Sequence, residues 1–198
     1  MPGHTNAALA SYAELNCDGI APPLYTGTEV GFSSLCIDKE ITYKFVEDVV
    51  REISAITPGQ YFHIGGDEAH STPDADYVKF MNRVLPIVKK YNKTTTGWHE
   101  FVKTTKDTAL VPQYWGTTTT NADVAAAAKR GNKVVMSPAN KIYLDMKYDK
   151  NTKLGLNWAG YVEVKDSYNW NPGAHLKDVG EASVRGVEAP LWTETIKT

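Results

Sequence analysis

Apolar residues follow two periodicities in this chain, and the alternation between them sets out its elements. Phe45, Val46, Val49, Val50 and Ile53 recur every three or four positions and predict an amphipathic helix over 43–56, with Asp38 as its N-cap. Thr57-Pro58-Gly59 breaks that pattern, and 60–64 reads as a short buried strand closed by Gly65-Gly66. Val78, Phe80, Met81, Val84, Leu85 and Val88 predict a second helix over 76–91, which Pro86 should interrupt or kink. Strand-like runs follow at 94–98 and 109–115. An alanine-rich helix over 121–130 is stopped by Gly131, and 133–137 is the next strand. A long loop runs from Pro138 to about Gly180, and a last strand covers 184–192. At the other end, 6–15 has helical composition and 17–36 is an irregular loop carrying Pro22-Pro23.

Strands alternating with helices predict the α/β class, with a parallel sheet and helical crossovers. Successive strand ends carry candidate site residues: Asp67-Glu68, Trp98, Trp115 and Trp192. One face of a (β/α)8 barrel collects side chains from several strand ends in this way, whereas an open sheet concentrates them at one switch point. The barrel is therefore expected. Five strands are legible where a barrel has eight. The chain opens on a loop-like segment and closes after a strand, so 1–198 is read as one partial barrel domain.

The stretch from His63 to His70, His-Ile-Gly-Gly-Asp-Glu-Ala-His, carries the most chemistry. It places two adjacent carboxylates directly after a glycine pair at the end of a strand. Consecutive extended residues point their side chains apart, so Asp67 and Glu68 are expected to act at different atoms.

Composition narrows the classes of partner. With 42% hydrophobic and 22% charged residues and a formal net charge of -2, the chain is globular and shows no basic run. Neither nucleic acid nor a membrane surface is an expected partner, and no signal peptide is read at Met1 of this chain. The 11 Tyr and 5 Trp, several in turn-rich segments, are numerous enough to include sugar-stacking positions. Cys17 and Cys36 flank a single excursion and admit two readings, a disulfide or two small buried thiols.

Seven motifs together resemble the family 20 β-N-acetylhexosaminidases, closest to the secreted streptomycete-type enzymes. They are Met1-Pro2-Gly3-His4, the 63–70 stretch, Gly97-Trp98-His99, Gln113-Tyr114-Trp115, Tyr143-Leu144-Asp145, Trp158-Ala159-Gly160-Tyr161 and Leu191-Trp192-Thr193-Glu194. The resemblance implies a catalytic (β/α)8 barrel, represented here from the loop after its third strand through its eighth, acting without cofactor or metal on an N-acetylhexosaminide. It implies hydrolysis of a glycoside, which needs one acid for the leaving oxygen and stabilisation of positive charge at the anomeric carbon. In the usual retaining design a second carboxylate attacks from the far face, roughly 5 Å away; diverging neighbours are better suited to one side of the sugar, with the nucleophile supplied by the substrate. The resemblance implies Glu68 as general acid and base, and Asp67 as the group orienting the substrate's 2-acetamido arm. Tyr143 would donate to the acetamido carbonyl oxygen, and His4 would tune Glu68. Trp98, Trp115 and Trp192 would wall the acetamido pocket, Trp158 would stack near the leaving group, and Asp145 and Glu194 would hold sugar hydroxyls. The parent enzyme is expected to be secreted.

Two other readings stand beside this one. His63, Asp67, Glu68 and His70 supply metal-ligand residue types in one loop, the signature of a metal-dependent hydrolase, although not at His-Glu-x-x-His spacing. Alternatively, the chain is an inactive or weakly active fragment, since a cut barrel exposes apolar surface and needs its missing portion or a second copy to cover it. His63 and His70 are otherwise expected as supporting histidines, and Asp38, Asp74 and Asp76 as helix caps or surface charge.

Overall fold

The computed structural model describes residues 2–195, so Met1 of the first motif lies outside the described residues. The chain forms two compact units, divided between Leu110 and Val111.

The first unit opens with helix α1 (Asn6–Ser11), which does not reach Leu15 as expected. Tyr12 leaves helical geometry at φ -130°, and a 3-10 turn, Ala13–Leu15, follows. The Asn16 side chain donates to the carbonyls of Leu9 and Ala13 and fixes the break. Cys17 and Cys36 form a disulfide that closes the intervening loop, which decides between the two readings of those cysteines.

Helix α2 (Glu40–Ile56) has Lys39, not Asp38, at its N-cap. Its start is fastened instead by buried bonds from the Thr42 hydroxyl to Cys36 O (2.6 Å) and from the Tyr43 hydroxyl to Ile37 O (2.7 Å). Asp38 pairs with Lys79 at the surface. Strand β1 (Tyr61–His63) leads to helix α3 (Asp74–Lys90), which runs through Pro86 without ending. Asp74 and Asp76 lie in the first turn of α3, where negative charge complements the helix dipole, and not at its cap. The face α3 buries is Tyr77, Phe80, Met81, Val84 and Val88. Strand β2 (Thr94–Trp98) pairs in parallel with β1, placing His63 opposite Thr96.

The expectation of a buried β1 is corrected. Tyr61 and His63 are exposed and Phe62 is only half-buried. The apolar side of β1 faces a groove of about 440 Å³, lined with α2 residues such as Phe45, Val49 and Ile53. No layer covers that groove among the described residues, so hydrophobic composition did not translate into burial.

The second unit contains strands β3 (Val111–Tyr114), β4 (Val134–Met136) and β5 (Val184–Val187), parallel in that order. Helix α4 (Ala122–Arg130) crosses between β3 and β4. Its N-terminus is capped by Asn121, whose side chain accepts from the Val124 N–H at 2.9 Å. Gly131 ends it at φ 109°, a left-handed conformation that glycine adopts without penalty. Tyr114, Val124, Ala128, Val134, Met136, Leu176 and Val179 form its core. The predicted loop after β4 contains two short helices, α5 (Ala139–Ile142) and α6 (Val164–Tyr168). The last strand stops at Val187, five residues short of Trp192, so Trp192 sits on a loop.

Candidate active site

The carboxylate pair of the first unit sits on a glycine turn that the surrounding backbone holds at several points. Gly65 and Gly66 have φ of 67° and 112°, and Glu68 itself is left-handed at 46°. A non-glycine residue in that region is strained, which is a recurring feature of functional sites. The Gly65 carbonyl accepts from the Trp98 N–H at 2.9 Å, and the Gly65 N–H donates to His63 Nδ1 at 3.1 Å. No Cβ fits on Gly97 beside it, since one would lie 2.8 Å from Gly65 O.

This turn overrides the divergence expected of neighbouring extended residues. Because Glu68 is not extended, one oxygen each of Asp67 and Glu68 and one nitrogen of His4 lie within 4.8 Å of each other. His4 Nε2 is 3.3 Å from Glu68 Oε2, and His4 Nδ1 is 3.7 Å from Asp67 Oδ2. His4 is left-handed too, at φ 54°. Gly3 keeps its segment close: a Cβ there would meet Ala69 Cα at 3.1 Å.

The two carboxylates differ in surroundings. Asp67 Oδ1 is buried with no hydrogen-bond partner among the described residues. Burial pushes the Asp67 carboxyl above its ordinary range, the His4 charge opposes this, and the neighbouring Glu68 adds to it. An ionised acceptor with raised proton affinity and a lone pair not engaged in a hydrogen bond is suited to an amide N–H.

Trp98 is buried at the end of β2 and meets the His63 ring edge-on, with centroids 5.1 Å apart. His99, next along, is largely but not fully buried, and that burial pushes its imidazole down to about 4. Its Nδ1 lies 3.4 Å from Glu100 Oε2. His70 is turned away to the disulfide-closed loop, packing where a Cβ of Gly31 would be. The four-residue metal set imagined from sequence is thus not assembled. Among the described residues, the grouping with ligand geometry is His4, Asp67 and Glu68.

The second unit gathers an aromatic cluster. Trp115 directly follows β3, and its carbonyl accepts from the Ala139 N–H at 3.1 Å, fixing the start of α5. Tyr143, at the end of α5, is buried. Trp158 stands edge-on to both Trp115 (5.9 Å) and Tyr143 (5.8 Å), and Trp192 lies 6.1 Å from Tyr143. Trp158 and Trp192 remain half open to solvent, so the cluster has walls that are not filled by the unit's own core.

Asp145 sits at the base of this cluster and is buried. Its Oδ1 faces the Trp192 N–H at 3.4 Å, while Oδ2 has no partner among the described residues. Burial raises its proton affinity, and Glu194 adds a like charge nearby. Leu144 N–H donates to Pro190 O at 2.9 Å, which ties the Tyr143–Asp145 segment to the loop carrying Trp192 and Glu194. Gly155 lets another strand of chain approach, since a Cβ there would lie 2.5 Å from Asp145 O.

Against this geometry, the chain matches the family model described as glycosyl hydrolase family 20, catalytic domain, over residues 1–77 and 71–198. The chain belongs to glycosyl hydrolase family 20. Among curated relatives, a β-N-acetylhexosaminidase of Cellulomonas fimi is 43% identical over 99% of this chain and 40% of its own length. Among solved structures, the family 20 β-N-acetylhexosaminidase of Streptomyces coelicolor A3(2) superposes with a TM-score of 0.97 at 62% identity, covering 100% of this chain and 41% of that one. A Streptomyces plicatus N-acetyl-β-hexosaminidase in complex with Thio-NAglucal gives the same TM-score and identity, with 40% of its length covered. A mutant of the S. plicatus enzyme, 61% identical, was solved with the product GlcNAc.

The family 20 chain therefore spans about two fifths of the length of these relatives. Its five parallel strands correspond to part of the family's barrel, as the strand-end pattern implied. Tyr77, whose hydroxyl touches the glycine turn, and Glu100, the half-buried partner of His99, were not singled out from sequence. A tyrosine on an otherwise apolar helix face is the signal that could have marked the first.

Proposed function

We propose that the protein to which this chain belongs is a retaining exo-β-N-acetylhexosaminidase that removes terminal GlcNAc or GalNAc by substrate assistance. The observation that carries the reading is the Asp67 carboxylate beside Glu68: one oxygen buried, unpartnered and of raised proton affinity. Such a group holds the N–H of a 2-acetamido arm and stabilises the positive charge that develops there. The arm's carbonyl oxygen then attacks the anomeric carbon as Glu68 protonates the departing glycosidic oxygen. Water opens the resulting oxazolinium ion with Glu68 as base, which restores the original configuration.

Tyr143 is assigned to the acetamido carbonyl oxygen, and Trp98, Trp115 and Trp192 to the apolar walls. Trp158 is assigned to the leaving-group sugar. Asp145, with its free buried oxygen, and Glu194 are assigned to sugar hydroxyls. The relatives solved with GlcNAc and Thio-NAglucal support this substrate class. The Cys17–Cys36 disulfide supports an oxidising, extracytoplasmic location.

Glu68→Gln in the intact protein is the direct test, with aryl N-acetylglucosaminides of graded leaving-group acidity as substrates. Turnover should fall about 10²- to 10⁴-fold for poor leaving groups and much less for activated ones. A uniform loss across the series would remove Glu68 from the role of acid.

A further inference from the structure

The glycine pair that aims the two carboxylates has both carbonyls held. Trp98 N–H takes the Gly65 carbonyl from the β2 side. The Gly66 carbonyl accepts from the Tyr77 hydroxyl at 2.7 Å in a buried bond, and Tyr77 stands on the first turn of α3. We propose that Tyr77 is a positioning residue: its hydroxyl fixes the peptide that immediately precedes Asp67-Glu68, and so sets the placement of the orienting aspartate and the acid.

Packing alone does not call for a hydroxyl here. Tyr77, Phe80, Met81, Val84 and Val88 form one buried helical face, which a phenylalanine at 77 would complete equally well. The hydroxyl reaches past that face to a turn. At Gly66, φ is 112°, and a Cβ would lie 2.9 Å from the Tyr77 oxygen and 3.4 Å from Met81 Cε. The phenol therefore fills the space beneath the turn as well as bonding to it. Burial first, then the Glu100 and Asp67 carboxylates, keep the phenol protonated, so it remains a donor at any working pH.

The strain at the site gives that bond its consequence. Glu68 is held at φ 46°, a conformation that persists only when its surroundings over-determine it. Without the hydroxyl, Gly66 O loses its buried donor and the most permissive residue type in the chain regains its freedom. A shift of about 1 Å at a reacting group can cost on the order of 10²-fold in rate.

The role rests on the substrate-assisted reading for its detailed signature, and its test separates the two. Tyr77→Phe in the intact enzyme should lower kcat about 10- to 100-fold while KM changes by less than about twofold. Inhibition by a thiazoline mimic of the intermediate should weaken in proportion to the loss of kcat/KM. Val88→Ala, from the same buried face, should lower the melting temperature yet leave kcat and thiazoline inhibition unchanged. Incorporation of 3-fluorotyrosine at 77, which restores the donor, should restore turnover. A Tyr77→Phe enzyme with reduced melting temperature but unaltered kcat and thiazoline affinity would overturn the proposal. Lack of thiazoline inhibition in the unsubstituted enzyme defeats substrate assistance, while a turnover deficit in Tyr77→Phe still upholds positioning of the acid.

Discussion

His4 Nε2 lies 3.3 Å from Glu68 Oε2, while the other nitrogen of the same ring faces Asp67 Oδ2 at 3.7 Å. One imidazole thus addresses both carboxylates, and its protonated form is the main force opposing the upward push of burial on Asp67. Removing it should let the Asp67 carboxyl hold its proton to higher pH. In His4→Gln, the acid limb of the kcat/KM profile should move to higher pH, because in the proposed mechanism Asp67 works as an anion. An unmoved acid limb would detach His4 from Asp67.

Burial outweighs the neighbouring Glu100 carboxylate at His99, and it links stability to pH. Its folded-state value of about 4 lies below the ordinary 6.5. The neutral ring therefore contributes stability that is complete above about 6.5 and is lost as pH falls through about 4. The interval corresponds to about 3 kcal/mol at full protonation. Urea titrations between pH 7 and pH 4 should show this decline, and His99→Gln should flatten it. Parallel pH dependences in the two proteins would rule His99 out as the cause.

The disulfide closes a loop between residues 19 apart in sequence. In the chain-entropy account, a closed loop of that size is worth about 3 kcal/mol against the unfolded state. Cys17→Ser paired with Cys36→Ser should lower the unfolding free energy by about that amount. The loop is also tied to the segment just after the carboxylates, by Ser71 to Gly31 O (2.6 Å) and Ser34 to Thr72 (2.7 Å). Some activity should therefore be lost with the stability, and reductant should reproduce both effects in the unsubstituted protein but not in the double variant.

Local signals carried much of the architecture. Gly131 ended α4 because only a left-handed residue could, and Asn121 capped it through its own side chain. The glycine pair marked the strand end, and the ends of β2 and β3 carry Trp98 and Trp115 as expected, whereas Trp192 lies on a loop beyond β5. Where reading from sequence went astray, an interaction distant in the chain had prevailed. Lys79 drew Asp38 away from the cap, and bonds to Cys36 and Ile37 started α2 in its place. The apolar run of β1 promised burial, yet burial requires a facing layer, and Tyr61 and His63 lie open.

The sequence by itself determined the fold class, the family and the adjacency of the two carboxylates after a glycine turn, because glycine turns, helical stripes and motif order are written locally. Tertiary structure alone decided how those carboxylates stand. Adjacent residues were expected to diverge, and a left-handed Glu68 instead brings their oxygens together with His4. That backbone state is held by Trp98, 33 residues beyond Gly65, and by Tyr77 on another element. It also decided that Asp67 and Asp145, ordinary acids in sequence, each keep a buried oxygen without a partner. Burial depends on what packs around a group, which no local pattern records.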